Sequence, residues 1–100
     1  MPLRLLLTPQ AEEDLFEIWL FIAADNPAAA DQLIADVEKG WSHLAEFPLS
    51  GEARTDLAPG IRRQVTRRHQ TLYKIEDDAI LIMRVLAPKG KPVDKEASEV

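Results

Sequence analysis

The sequence predicts an α+β domain in the order β-α-α-β-β-β, a helical hairpin packed on one face of a small, mainly antiparallel sheet. Three observations predict it. Apolar residues recur at helical spacing across residues 9–46. The stretch Ile61 to Leu86 changes to strand-like segments separated by short polar turns. The two helical stripes are divided only by Asp25-Asn26-Pro27, so the helices must run antiparallel.

The first element is Leu3 to Leu7, short, apolar and ended by Pro9. Thr8 stands at the N-cap, Pro9 suits the first helical position, and Glu12 and Glu13 complement the helix dipole. The first helix is expected from Pro9 to about Ala24. Ala11, Leu15, Ile18, Trp19 and Ile22 form one apolar face, which Phe16, Leu20 and Phe21 widen. A stripe that broad predicts contact on two sides. Trp19 and Ile22 read as core, and Phe16 and Leu20 as a partner surface.

Asn26 caps the second helix, with Pro27 at its first position. That helix is expected from Pro27 to about Glu46, burying Ala30, Leu33, Ile34, Val37, Trp41 and Leu44. Gly40 costs about 1 kcal/mol relative to Ala in a helix interior, unless it permits close packing beside Trp41. Phe47-Pro48 stops the helix. Leu49 to Gly60 has no periodicity and reads as a loop, with Leu57 its anchor to the core.

Three strands follow. Ile61, Arg63 and Val65 share one face of the first, and Arg62, Gln64 and Thr66 the other. Arg67-Arg68-His69 forms a turn region. Thr71, Tyr73 and Ile75 alternate with Leu72 and Lys74, and Glu76-Asp77-Asp78 is an acidic tight turn. Ala79 to Leu86 is apolar on both faces, with Ile80, Ile82 and Leu86 opposite Leu81, Met83 and Val85, and so belongs inside the sheet. The open face of the sheet is expected to carry the arginines. Residues 1–88 form the domain, and 89–100 read as a flexible polar tail.

The 100 residues carry a net charge of −5, unevenly placed. Residues 1–60 hold three bases against eleven acids, a net of −8, while 61–100 hold nine bases against six acids, a net of +3. An acidic whole disfavours indiscriminate nucleic-acid binding, yet a basic half permits one local contact with an anionic or acidic partner. There is no cysteine, which excludes disulfides and thiolate metal sites. His43 and His69 show no ligand spacing, so no metal and no cofactor are expected. No signal-peptide core or membrane-spanning run is present, and the expectation is a cytoplasmic protein.

One constellation carries chemistry: Arg62, Arg67, Arg68, His69, Tyr73, Lys74 and Arg84, all on the strands or their turns. Cations there can stabilise a phosphoryl transition state, and His or Tyr can move a proton, which would make a metal-independent ribonuclease. The same residues equally suit a salt-bridged protein-binding surface. Composition does not choose between these.

The order and spacing of several fragments carry a resemblance. They are Ala11-Glu12-Glu13-Asp14-Leu15, Glu17-Ile18-Trp19-Leu20-Phe21-Ile22-Ala23, Asp25-Asn26-Pro27, Leu44-Ala45-Glu46-Phe47-Pro48 with Gly51, Leu57-Ala58-Pro59-Gly60-Ile61-Arg62, Tyr73-Lys74-Ile75-Glu76-Asp77-Asp78 and Ile82-Met83-Arg84-Val85-Leu86. Together, over about residues 3 to 86, they resemble the ParE toxins of type II toxin–antitoxin systems, in the RelE/ParE superfamily. The resemblance implies the fold read above, a cytoplasmic toxin, and a ParD-like antitoxin of ribbon-helix-helix type whose C-terminal segment wraps it. It implies DNA gyrase as the target and contact with DNA only through the antitoxin. RelE-type relatives instead cut messenger RNA in the ribosome. They are typically basic, with catalytic His or Tyr beyond the last strand, where this chain has Ala87-Pro88.

The expectation is therefore a binding protein without catalysis. Arg62, Arg63, Arg67, Arg68, His69, Tyr73 and Arg84 are expected to contact the target, and Phe16, Trp19 and Leu20 the antitoxin. The alternatives are a ribosome-dependent ribonuclease using Arg62, Arg68, His69 and Arg84, and an inactive relative that only binds its antitoxin.

Overall fold

The computed structural model describes residues 2–88. The expected tail, 89–100, lies outside them. The elements are β1 (Arg4–Leu7), α1 (Pro9–Ala23), α2 (Pro27–Glu46), a 3-10 turn (Pro48–Ser50), β2 (Glu52–Ala53), β3 (Arg62–Thr66), β4 (His69–Glu76) and β5 (Ala79–Leu86). The sheet order is β1-β5-β4-β3-β2. β1 runs parallel to β5, and every other pairing is antiparallel. The α+β hairpin-on-sheet architecture is the expected one, with one more strand.

Both helices start where their caps are. The Thr8 hydroxyl accepts the Ala11 N–H at 3.0 Å, and Asn26 Oδ1 accepts the Ala29 N–H at 3.1 Å. Each has Pro at its first position. Thr8 also donates its hydroxyl to the Met83 carbonyl at 2.8 Å, so the cap that starts α1 also fastens it to the sheet. The hairpin buries Ala11, Ile18, Leu33, Val37, Trp41 and Leu44 against Tyr73, Ile80, Ile82 and Val85. Trp41 donates its indole N–H to Thr71 at 3.0 Å inside this interface, satisfying the one polar atom it brings. Gly40 lets α2 approach β3: its carbonyl accepts from Gln64 at 2.9 Å, and a Cβ there would meet the Gln64 and Thr66 side chains at 2.9 and 3.1 Å.

Three expectations change. The loop after α2 contains the two-residue β2, paired with Arg62 and Arg63 and too short to show any period. Leu57 is 50 % exposed and anchors nothing; Ile61 and Gly51 are the buried points of that segment. In β5 the register slips between Leu72/Tyr73, where Tyr73 faces Ile82 but Leu72 faces Arg84. Met83 is the extra residue. This bulge reverses the alternation, so Val85 joins Ile80 and Ile82 in the core and Leu86 turns outward, the opposite of simple period-two reading.

Candidate functional site

The arginines do not form the expected open basic face. Each is positioned by its strand and then drawn to an acceptor. Arg62 points to the helix side with Gln64. Its guanidinium donates to the Gly51 carbonyl at 2.7 and 3.1 Å and to the Leu49 carbonyl at 3.1 Å, tying down the loop after α2. Arg63, on the opposite face, pairs with Glu52 of β2. Arg67 reaches across to Asp36 of α2 at 2.8 Å. Arg84 makes a two-pronged pair with Asp14 of α1 at 2.7 and 3.1 Å. Three of the eleven acids of the first sixty residues, Asp14, Asp36 and Glu52, thus supply partners for bases of the last forty.

Tyr73 has no accessible surface. Its hydroxyl donates to the Pro48 carbonyl at 2.7 Å and accepts the Gly51 N–H at 3.1 Å. It therefore locks the same loop as Arg62 and leaves the target-contact set. The alternation that marked Tyr73 as a strand residue could not show which face lay under the hairpin. His69 is also buried, 8 % exposed, with Nδ1 3.0 Å from the Arg67 carbonyl. Arg68 is exposed at the turn between β3 and β4. Arg62 begins β3 while Arg68 lies past its end, about 13 Å or more along the strand. The residues expected for ribonuclease chemistry are therefore spread between the two ends of β3 and a helix ion pair.

Asp14 is the residue that sequence reading passed over. It is 7 % exposed. Burial pushes its carboxyl up, but hydrogen bonds from Arg84, the Val85 N–H and Gln10, with the charge of Arg84, hold it below the usual carboxylate range. The Arg84 guanidinium is raised in turn by its bond to Asp14. A signal was present: Asp14 lies between Ala11 and Ile18 on the buried stripe of α1, where an acid needs a partner. Beside this pair, Glu17, Ile18, Leu20, Phe21 and residues 84–87 line a cleft of about 480 Å³.

The outer face of α1 is apolar and open. Phe16 is 60 % exposed and Leu20 51 %, with Phe21 beside them. Phe16 stacks on Trp19 at 6.5 Å between centroids. Trp19 is half-buried and donates its indole N–H to Asp31 at 2.8 Å, bracing α1 on α2. Leu7, Leu15, Phe16, Trp19 and Ile34 border a second, almost wholly apolar cleft of about 310 Å³. The three residues expected to meet an antitoxin are thus together. Among the described residues no group of His, Cys, Asp and Glu is arranged to hold a metal. No described helix is long and apolar enough to cross a membrane.

Comparison with known proteins shows the family. Residues 5–89 match the family described as the ParE toxin of the type II toxin–antitoxin system parDE. The chain belongs to the ParE toxin family. Toxin ParE3 of Caulobacter vibrioides is 27 % identical over 84 residues, spanning 83 % of this chain and 84 % of that protein. A chain of the chromosomal ParDE system from P. aeruginosa superposes with a TM-score of 0.73 at 20 % identity, covering 87 % of this chain and 97 % of that one. A chain of the Mycobacterium tuberculosis RelBE2 toxin–antitoxin complex gives 0.63 at 25 % identity over 87 % and 99 %. A mutant of the E. coli toxin RelE in the free state gives 0.62 at 15 % over 99 % and 97 %, a likeness of fold. The ParE chain described here is thus a toxin of a toxin–antitoxin pair, which implies an antitoxin partner.

Proposed function

We propose that this ParE toxin arrests growth by binding DNA gyrase in the cytoplasm, without catalysis of its own, and that a ParD-like antitoxin of ribbon-helix-helix type restrains it by covering the outer face of α1. The observation that supports a binding role over ribonuclease chemistry is the engagement of the candidate catalytic groups. Arg84 is held by Asp14, Arg62 by loop carbonyls, and His69 is buried. The observation that supports the antitoxin site is the exposed cluster of Phe16 and Leu20 beside half-buried Trp19, an apolar surface with the aromatic content of an interface hot spot.

Purified toxin added to gyrase is expected to block supercoiling at micromolar dose, and unchanged supercoiling would remove the target. A parallel translation extract separates the alternative. Intact message is expected, whereas cleavage that disappears with Arg84→Ala would replace gyrase binding by ribosome-dependent ribonuclease activity. Induced expression that leaves growth unaffected would instead mark a relative that only binds its antitoxin.

A further inference from the structure

The turn joining β3 and β4 has a backbone its residues do not favour. Thr66 pairs with His69, leaving a two-residue loop of Arg67 and Arg68 with φ of 49° and 69°. Positive φ at both positions defines the mirror-image turn that normally takes Asn-Gly, because a Cβ there crowds the neighbouring carbonyl. Two consecutive arginines at these angles are strained. For Arg67 the surroundings offer compensation: its guanidinium bonds Asp36, and its carbonyl faces the buried His69 ring. For Arg68 no hydrogen bond or ion pair is formed among the described residues, and the side chain is exposed. The other described arginines, Arg4, Arg54, Arg62, Arg63, Arg67 and Arg84, all reach a carboxylate or a carbonyl. Among the described arginines Arg68 is the one whose exposed side chain has no internal acceptor, on a tip braced from below.

We propose that the β3–β4 tip is the element that reads the toxin's target, with Arg68 making a forked contact to a carboxylate on an acidic protein surface. This rests on the reading that the toxin acts by binding. A planar guanidinium matches a carboxylate in two parallel hydrogen bonds. A protein partner fits better than nucleic acid, because the chain carries a net charge of −5 and a lone arginine cannot offset repulsion from a run of phosphates. Strain kept at an exposed position with no internal partner is how a contact residue is held in place at the expense of the fold.

The test replaces Arg68 by residues the turn prefers, Arg68→Gly and Arg68→Asn, in the full chain. Both variants are expected to melt no lower than wild type, with Arg68→Gly higher by roughly 4–8 °C, the shift that relief of one strained residue gives a domain this size. Both are expected to need about tenfold more protein or more to arrest growth, the loss typical of an interface hot spot. A variant that arrests growth like wild type would overturn the proposal, as would a wild type that leaves growth unaffected. A lower melting temperature in both variants would also overturn it, since the turn would then be structural. Wild-type binding to duplex DNA that both variants lose would overturn the carboxylate partner in favour of phosphate. If wild type arrests growth but leaves gyrase supercoiling intact, gyrase is removed, and a translation extract then decides the role of Arg68: message left intact by wild type keeps the carboxylate contact, and message cleavage that both variants lose would overturn it.

Discussion

Asp14 and Val85 complete the sheet where β1 runs out. Thr8 closes the parallel pairing by donating its N–H to the Ile82 carbonyl at 3.0 Å. The next edge donor of β5, the Val85 N–H, is met at 3.0 Å by the Asp14 carboxylate from α1. The same carboxylate holds Arg84. A side chain thus takes the place of the next strand residue, and the helix is pinned to β5 at that point. Asp14→Ala would leave a buried N–H unsatisfied and Arg84 unpaired. The expected loss is about 2–3 kcal/mol of stability, read by urea denaturation, with Asp14→Asn intermediate because its amide oxygen can still accept from Val85.

The same pair sets an acid limit. The folded Asp14 carboxyl lies below its unfolded value, so ionised Asp14 stabilises the native state. That contribution is fully present above the unfolded value of about 4, and is lost as pH falls through the lower folded value. The Asp14 contribution is therefore expected to be constant with pH near neutrality and to drop progressively below about pH 4. In Asp14→Asn this part of the acid dependence should vanish; an identical acid profile in both proteins would count against it.

Tyr73 and Gly51 form a lock on the loop after α2. A methyl group at Gly51 would overlap the Tyr73 hydroxyl, with the ring Cε1 2.7 Å away and the Arg63 carbonyl 2.9 Å away. Both neighbours are held by the sheet and cannot swing aside. Gly51→Ala is expected to cost about 3 kcal/mol from overpacking. Tyr73→Phe, which removes the hydroxyl from Pro48 and Gly51, is expected to cost about 2 kcal/mol. Thermal unfolding measures both, and a Gly51→Ala protein as stable as wild type would mean the loop can move away from β4.

Phe16 separates binding from folding. It is 60 % exposed, so Phe16→Asp should leave the melting temperature within a few degrees of wild type. If the antitoxin covers α1 as proposed, its affinity should fall about thirtyfold or more. Calorimetry with the cognate antitoxin checks this, and unchanged affinity would place the antitoxin elsewhere.

Much of the architecture was legible along the chain because it rests on local physics. Thr8-Pro9 and Asn26-Pro27 announce the two helix starts, and α2 ends at Glu46 where Phe47-Pro48 stops it. β5 lies between β1 and β4, as an apolar strand on both faces requires. The candidate site was legible only in part. Phe16 and Leu20 were separable from the core because they overfill one helix face. The arginines were visible as a cluster, but their acceptors lie far away in sequence: Asp14 is seventy positions from Arg84, and Gly51 eleven from Arg62.

What the sequence determined by itself was therefore the element order apart from β2, the hairpin, and the resemblance that led to the ParE family. These follow from caps, breakers and hydrophobic period, which act between near neighbours. The tertiary structure decided which charges remain available. The bulge at Met83 put Val85 inside, Asp14 and Asp36 drew Arg84 and Arg67 to the helices, and Tyr73 went under the hairpin. An ion pair forms only when folding brings its two halves together, and no local pattern records the distance.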